Sequence, residues 1–289
     1  MQTMNTLRLF LFLLLTTSVN MMAQSSTDVF TYEIGKLKIS TLSESQGNGN
    51  TGILIGATPE MIARSLPDGT FPNAVNAFLV KTPDKTILVD AGFGHNLFNH
   101  LKTLNTSPEE IDIVLLTHMH GDHIGGLLKD GNVTFPNATL YLSQVEYDYW
   151  SKGDHTSQQN VINAYKEKLK LFPANELNNM QTFLIPGIHG VAAYGHTPGH
   201  TAFLFESDQK QLLIWGDVTH AMKIQMPFPG VAVTYDVDPE LAIKSRKQIL
   251  EYVTKNNIPI AGMHIAYPGM GDIKSNNEKG YEFSPFKIK

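Results

Sequence analysis

Short apolar runs bounded by Gly, Pro, Asn and Asp recur along most of the chain. Some alternate between apolar and polar residues, as half-buried strands do, whereas others are continuously apolar and β-branched, as fully buried strands are. Each run is too short for a typical helix. The pattern therefore predicts a succession of strands, which lie at 29–34, 36–42, 75–81, 85–90, 111–116, 138–142, 182–185, 191–194, 201–206, 211–215 and 258–263, the last being the final buried strand.

Two stretches carry clear helix signals. Residues 59–65 begin with Pro and follow Thr58, so we expect a short helix with Thr58 as its N-cap. Residues 239–256 space their apolar positions close to a helical period and follow Asp238, which suits an N-cap. This second stretch is the clearest helix of the chain.

The segments between these elements predict loops and a further helical region. Residues 46–52 are rich in Gly and Asn and are expected to form a flexible polar loop. Helical periodicity returns at 143–171, where the charged run 166–170 is interpreted as a solvated helix face. We find no repeat and no long linker, so one domain is expected to span 24–289.

The N-terminal segment differs from the rest of the chain. Arg8 precedes the apolar run 9–15, and the small-residue end at 21–23 resembles a cleavage site. The apolar run is short for a transmembrane span. We therefore predict a cleaved signal peptide at 1–23 and a periplasmic or secreted protein with no membrane attachment after cleavage; an uncleaved membrane anchor is the alternative.

Composition narrows the function classes. The chain has no Cys, which excludes disulfides, thiolate metal ligands and a thiol nucleophile. Its formal net charge is -5, with 22 Lys and Arg against 27 Asp and Glu, and it lacks a basic block. Nucleic acid is therefore not an expected partner. Hydrophobic residues make up 42% of the chain, which is ample for a large core.

A cluster of metal-binding side chains directly follows the predicted strand at 111–116. Residues 117–123 read Thr-His-Met-His-Gly-Asp-His. In extended backbone His118 and His120 point to the same side, and after the glycine the chain can turn to deliver Asp122 and His123 from another direction. Imidazole and carboxylate suit Zn, Fe or Mn, and ligands that point in two directions indicate two metal ions.

The pattern His-x-His-x-Asp-His resembles the signature of the metallo-β-lactamase-fold hydrolases. This resemblance implies an α/β fold, the αββα four-layer sandwich, in which two mixed sheets pack face to face and helices cover the outer faces. The metals of that family sit at one edge of the sandwich. The remaining ligands are then expected in loops that come later in the chain.

Three later residues stand where the family places ligands. Residues 195–200 read Gly-His-Thr-Pro-Gly-His, and the resemblance carries a metal-binding role to His200, while His196 is interpreted as a loop-shaping residue or a direct ligand. Asp217 and His264 each follow a predicted strand and match the bridging carboxylate and the last ligand.

The resemblance divides these ligands between two metals that share a carboxylate and a water. One set is His118, His120 and His200; the other is Asp122, His123 and His264; Asp217 bridges. Asp90 matches a family position at which a carboxylate orients a ligand His, although a turn-forming Asp is an equal interpretation.

Two cations that share a water lower its pKa, so a metal-bridging hydroxide is the expected nucleophile. The cofactors are therefore expected to be two divalent metal ions, with Zn first and Mn, Fe or Co as alternatives. Asp122, Asp217 and His220 are the expected catalytic residues.

The sequence 216–220, Gly-Asp-Val-Thr-His, together with the stretch after His264, looks like the methyl parathion hydrolase-like branch. That branch implies hydrolysis of lactones or aryl esters, with phosphotriesters as a side activity, and a small-molecule ester or lactone as partner. His220 could bind substrate or donate a proton to the leaving group, or be structural. A homodimer is one option for assembly. Candidate pocket residues, each of which could equally be core, are Phe93, Phe183, Met222 and Phe228.

Three alternatives remain open. A β-lactam hydrolase usually has Cys or Ser at the bridging position, where this chain has Asp217. A glyoxalase-II-type thioesterase shares the ligand set but is disfavoured by the predicted export. A metal-binding module without catalysis is the third, and the complete ligand set argues against it.

Overall fold

The computed structural model describes residues 29–180, 183–276 and 280–288. The predicted signal peptide at 1–23 lies outside these residues. Within the described ranges, none of the helices is long and apolar enough to cross a membrane.

Strands are the main elements of the described chain, as the apolar pattern predicts. In chain order they are β1 (Val29–Ile34), β2 (Leu37–Asn50), β3 (Leu54–Ile55), β4 (Thr70–Lys81), β5 (Thr86–Val89), β6 (Ile113–Leu115), β7 (Leu128–Lys129), β8 (Asn132–Val133), β9 (Thr139–Ser143), β10 (Leu169–Phe172), β11 (Ile188–Ala192), β12 (Thr201–Ser207), β13 (Lys210–Ile214), β14 (Ala232–Val233), β15 (Ile260–Ala261), β16 (Met270–Ser275) and β17 (Tyr281–Pro285).

The described residues contain fewer α-helices than strands. They are α1 (Pro59–Ser65), α2 (Leu97–Thr103), α3 (Gly121–Ile124), α4 (Gln144–Trp150), α5 (Thr156–Tyr165), α6 (Met222–Gln225) and α7 (Pro239–Asn256). Helices α1 and α7 have the predicted bounds. Their predicted N-caps also hold, because Thr58 Oγ1 accepts the Met61 N–H and Asp238 Oδ1 accepts the Leu241 N–H.

Two mixed sheets contain most of the strands. The first has seven strands in the order β1-β2-β4-β5-β6-β9-β10, and those from β5 onward run parallel to one another. The second has six strands in the order β11-β12-β13-β15-β16-β17, and its only parallel pair among the described strands is β13 with β15.

The alternation of side chains along β4 explains how the layers stack. Phe78 and Val80 point into a core shared with Phe203 and Phe205 of the second sheet. Their neighbours in β4 point the opposite way, because successive strand residues face opposite sides, and pack under α2, α4 and α5. Helix α7 covers the outer face of the second sheet. This four-layer arrangement confirms the predicted αββα sandwich.

Four sequence expectations differ from the structure. Residues 46–50 continue β2 instead of forming a loop, because they pair with β4 as far as Asn50 opposite Thr70. The charged run at 166–170 is a short 3-10 turn that leads into β10. Thr182, the first residue of the strand predicted at 182–185, lies outside the described residues, and residues 183–185 form only an isolated bridge. The strand predicted at 258–263 is followed by two more, β16 and β17.

The ends of strands from both sheets meet at one edge of the sandwich. Strands β5 and β6 end just before Asp90 and the segment at 117–123. Strands β13 and β15 end just before Asp217 and His264. These short segments bring the predicted metal ligands together.

Candidate metal centre

Three imidazoles converge at this edge and form what we call the first ligand group, His118, His120 and His196. His118 Nε2 lies 3.0 Å from His120 Nδ1, and His120 Nδ1 lies 3.0 Å from His196 Nε2. Because His118 and His120 are two residues apart in extended backbone that follows β6, they face the same side, as predicted.

A second ligand group consists of Asp122, His123 and His264. Asp122 and His123 lie in α3, which begins at Gly121 immediately after the extended segment. Asp122 Oδ2 is 3.7 Å from His123 Nε2 and 3.5 Å from His264 Nε2. The turn into α3 therefore delivers its two ligands from a different direction than the first group.

Asp217 lies between the two groups. Its Oδ2 is 3.2 Å from His196 Nε2 and 2.9 Å from His264 Nε2, and its Oδ1 is 3.3 Å from His123 Nε2. One buried carboxylate is thus within reach of ligands from both groups, which is the placement that the family resemblance implies for a bridging residue.

His196, and not His200, occupies the third position of the first ligand group. The Nε2 atom of His200 accepts the Asp217 backbone N–H at 2.9 Å, and its Nδ1 lies 3.0 Å from the Ala193 carbonyl. Both ring nitrogens of His200 are therefore bonded to the backbone. The sequence assigned the metal-binding role to His200 and left His196 open; the structure reverses that order because the loop turns the first imidazole toward the cluster.

Hydrogen bonds to the outer ring nitrogens orient the clustered histidines. His123 donates from Nδ1 to Asp90 Oδ2 at 2.6 Å, and His264 donates from Nδ1 to the Ala74 carbonyl at 2.7 Å. His196 donates in the same way to Asp236 Oδ1 at 2.9 Å. Each bond leaves Nε2 facing the cluster, where it can bind a metal that displaces its proton.

The ionisation of the protein groups reflects burial and mutual charge. Burial lowers the pKa of His120 to about 4 and holds that of His118 well below its usual range. Burial also opposes the charged form of His196, but its hydrogen bonds to Asp217 and Asp236 outweigh this and raise its pKa to about 9. The histidines around Asp217, led by His123, overcome burial and hold the pKa of that carboxyl well below its usual range.

The donor set fits divalent metal ions. His123 Nε2 and Asp217 Oδ1 are fully buried and lack a hydrogen-bond partner among the described residues. Buried polar atoms are seldom left without a partner, so these two indicate a ligand between them. Imidazole nitrogens with carboxylate oxygens are ligands that Zn, Fe, Mn and Co accept.

His220 lies beside the second ligand group. Its Nε2 is 3.1 Å from Asp217 Oδ2, and its ring stacks on that of His264 with the centroids 4.6 Å apart. Gln225 Oε1 accepts the backbone N–H of His220 and so fixes the loop. Burial lowers the pKa of His220 to about 4, so its imidazole is neutral at pH 7.

Arg246 supports this loop from behind. Its guanidinium is buried and donates to the carbonyls of Val218 and Val231. The sequence favours a capping and salt-bridge cluster of Asp236, Asp238 and Arg246 that fixes the last helix. Asp238 does cap α7, whereas Asp236 bonds His196 and Arg246 bonds backbone carbonyls.

A pocket of about 570 Å³ opens above the cluster. It is lined by Asn48, Gly49, Asn50, Ile53, Asn73, Val75, Phe93, His120, Gly121, Asp122, His196, Asp217, His220, Tyr235 and His264. Of the four apolar candidates from the sequence, Phe93 is in this lining. Phe183 instead packs on His189, Met222 Sδ accepts the Thr219 hydroxyl, and Phe228 lies under Arg64.

A family model described as the metallo-beta-lactamase superfamily matches residues 70–259, which is more than half of the chain. The chain belongs to this superfamily. The matched residues include β6 and β13, which precede candidate ligands, whereas β15 and His264 follow the end of the match.

Curated relatives of this superfamily hydrolase share modest identity with it. The uncharacterized protein YobT of Bacillus subtilis is 27% identical over 191 residues, which are 61% of this chain and 78% of that protein. The N-acyl homoserine lactonase of Bacillus thuringiensis is 24% identical over 163 residues, which are 55% of this chain and 58% of the lactonase. The match thus spans little more than half of the lactonase.

Solved structures cover more of the chain. The hydrolase AbOPH of the beta lactamase superfamily superposes with a TM-score of 0.80 at 26% identity, over 90% of this chain and 98% of AbOPH. AidC, a dizinc quorum-quenching lactonase solved with a product, superposes with a TM-score of 0.82 at 25% identity, over 90% of this chain and 98% of AidC. The protein is therefore a metallo-beta-lactamase-superfamily hydrolase with lactonase homologues.

Proposed function

We propose that this protein is a dinuclear metal-dependent hydrolase that opens lactones or cleaves aryl esters, with phosphotriesters as a side activity. The observation that carries the proposal is the placement of Asp217 between two ligand groups at the base of one pocket. The lactonases among the relatives and structural neighbours support lactone hydrolysis.

The proposed ligand assignment follows the two groups. His118, His120 and His196 would hold one metal, Asp122, His123 and His264 the other, and Asp217 both. When bound, two divalent cations supply a water of lowered pKa and polarise the substrate oxygen. We propose Zn first, because the dizinc lactonase AidC shares the fold, with Mn, Fe or Co as alternatives.

Asp122 and His220 lie at the pocket floor, where they can orient the reacting groups and stabilise the charge that develops on them. Asp122 is partly open to the pocket, and the nearby positive histidines, led by His123, keep its pKa low against the effect of burial. It is therefore ionised and can accept a hydrogen bond from a water in the pocket. His220 is neutral and lines the same pocket, and its Nε2–H, which lies 3.1 Å from Asp217 Oδ2, would turn to the substrate oxygen on which negative charge develops.

The walls of the pocket favour an uncharged substrate. Neither Lys nor Arg occurs among the described lining residues. The lining instead includes the amides of Asn48, Asn50 and Asn73 and the apolar side chains of Ile53 and Phe93. Amides recognise neutral hydrogen-bonding groups, and apolar side chains accept an aryl or alkyl substituent. A neutral lactone or aryl ester suits these walls better than a β-lactam or a glutathione thioester, both of which carry carboxylates.

A substrate panel tests the proposed function. We would measure kcat/KM of the metal-loaded protein on an N-acyl-homoserine lactone, an aryl lactone, a nitrophenyl ester, methyl parathion, a cephalosporin and a glutathione thioester. We expect the lactone or aryl ester to dominate and a chelator to abolish its turnover. Dominant turnover of the cephalosporin or the thioester would refute the proposed substrate class, and turnover that survives complete metal removal would refute the metal mechanism.

We further propose that the enzyme is exported and loses residues 1–23, as its N-terminal segment suggests. Its partner is then a small neutral ester outside the cytoplasm, and a homodimer remains one option for its assembly. N-terminal sequencing of protein from the periplasm or medium tests the cleavage, and a mature protein that begins at Met1 would contradict it.

A further inference from the structure

Glu146, in the first turn of α4, is completely buried and accepts four hydrogen bonds. Its Oε1 accepts the Met119 backbone N–H at 3.0 Å and the Trp150 indole N–H at 2.5 Å. Its Oε2 accepts the Thr197 hydroxyl at 2.7 Å and the Gly199 backbone N–H at 2.9 Å. A carboxylate offers about four acceptor sites, so its capacity is filled.

Three of these four donors lie inside the two segments that form the first ligand group, and the fourth, the Trp150 indole, lies in α4 itself. Met119 stands between His118 and His120, and Thr197 follows His196 directly. The two segments are far apart in sequence, so their spacing is set by tertiary contacts. Glu146 bonds one segment through each of its oxygens.

The loop that follows His196 packs tightly against the start of α4, next to Glu146. A Cβ added to Gly199 would lie 2.1 Å from the Glu146 backbone nitrogen, so the loop rests directly on α4. Ser143, the N-cap of α4, donates its hydroxyl to the Gly199 carbonyl at 2.7 Å. The start of α4 therefore holds the loop after His196 at two points.

A buried carboxylate without a cationic partner is costly, and an apolar side chain would fill the same volume without that desolvation penalty. Glu146 has no Lys or Arg partner among the described residues; backbone and side-chain donors alone satisfy it. An apolar residue could not bond both segments. The carboxylate therefore adds a fixed geometry between the two segments, which an apolar side chain would not provide.

We propose that Glu146 is a positioning residue that sets the distance between the segment of His118 and His120 and the loop of His196, and thereby the metal affinity of the first ligand group. The inference rests on the proposed metal centre. It assigns no such role to Glu146 for the second ligand group, whose histidines are oriented by Asp90 and the Ala74 carbonyl.

The test compares metal affinity in two backgrounds that each retain one ligand group. Glu146→Gln keeps the size of the side chain but replaces one acceptor oxygen with a donor. In a His264→Ala background, where the first group remains, we expect the variant to raise the Kd for Zn by about tenfold to a hundredfold. In a His120→Ala background, where the second group remains, we expect the Kd to change less than threefold. Titration with a chromophoric chelator gives both values without measuring turnover.

Tyr165→Phe is the matched control, because Tyr165, the last residue of α5, is also buried and hydrogen-bonded in the core, and its hydroxyl bonds Phe135 and Leu127 and not the ligand segments. It should lower thermal stability and leave both Kd values unchanged. If Glu146→Gln does not fold, Thr197→Val removes one of the same bonds and should raise the Kd of the first group alone.

Equal losses in the two backgrounds, an unchanged Kd of the first group, or the same change in Tyr165→Phe would overturn the proposal. Failure of the proposed function gives a different result, since the unsubstituted protein would then bind fewer than two metal ions per chain or hydrolyse no ester.

Discussion

Asp90 Oδ2 accepts the His123 Nδ1–H at 2.6 Å and also the Thr117 hydroxyl at 2.7 Å. The Thr117 oxygen lies 3.0 Å from His118 Nδ1, and because its proton goes to Asp90 it accepts the proton of His118. One buried carboxylate thus orients a histidine of each ligand group, directly in one case and through a hydroxyl in the other.

Replacing Asp90 is therefore expected to weaken both metal positions. Asp90→Asn should lower each metal affinity by about tenfold to a hundredfold, whereas Thr117→Val should weaken mainly the position that contains His118. Isothermal titration with Zn measures the two affinities. Asp112→Asn, at a strand end of the same sheet, is the control. Intact affinities in Asp90→Asn would show that the histidines keep their orientation without it.

The two histidines of the Gly-His-Thr-Pro-Gly-His loop are expected to respond differently to the same substitution. His196→Asn should lose one metal ion per chain, because its Nε2 faces the cluster. His200→Asn should keep both ions and lose thermal stability, because His200 bonds only to the backbone. Metal analysis of the purified variants, with their melting temperatures, separates the two cases. The opposite pattern would restore His200 as the ligand.

His220→Asn should lower kcat by about a hundredfold or more while KM changes little, because removing one donor to a developing oxyanion typically costs that much. The bond from the backbone N–H of residue 220 to Gln225 Oε1 does not depend on the imidazole and should hold the surrounding loop in the variant. The measurement is steady-state kinetics on an aryl ester, together with metal analysis. Full activity would identify His220 as structural, and loss of a metal ion would identify it as a ligand.

Asn73 is expected to contribute to substrate binding. Its Oδ1 accepts the Ala74 N–H at 2.9 Å, which turns its amide donor toward other groups. Asn73→Asp keeps that bond but removes the donor, so KM for neutral esters should rise about tenfold with kcat little changed. Asn99→Asp adds the same charge outside the pocket lining and serves as control. Equal KM values in the two variants would remove Asn73 from the binding wall.

Tyr165 is expected to make stability fall at high pH. Burial raises its pKa from 10.0 to about 12 in the folded protein. The stabilisation is fully present below pH 10 and is lost as the pH rises toward 12, at most roughly 3 kcal/mol. Urea unfolding at several pH values should therefore show a shallower alkaline decline for Tyr165→Phe than for the wild type, with the half-exposed Tyr147→Phe as control. Parallel declines in Tyr165→Phe and wild type would contradict this.

The sequence alone determined most of the strands and the cluster of candidate ligands at 117–123, because both depend on local patterns. Alternating and continuously apolar runs predict strands through side-chain period, and residues 117–123 follow one of these strands directly. The family resemblance of the sequence then pointed to Asp217 and His264, each of which follows a predicted strand. The hydrophobic pattern did not predict strands in which polar residues pair, as Asn50 does with Thr70.

Only the tertiary structure decided which histidine of the 195–200 loop faces the cluster. The spacing of His196 and His200 is compatible with either, and the choice depends on how the loop packs against α4 and the Asp217 backbone. The bond from His196 to Asp236 and the four bonds to Glu146 were likewise beyond the sequence. These contacts join residues distant in the chain, and their free energy depends on three-dimensional position, which no local pattern encodes.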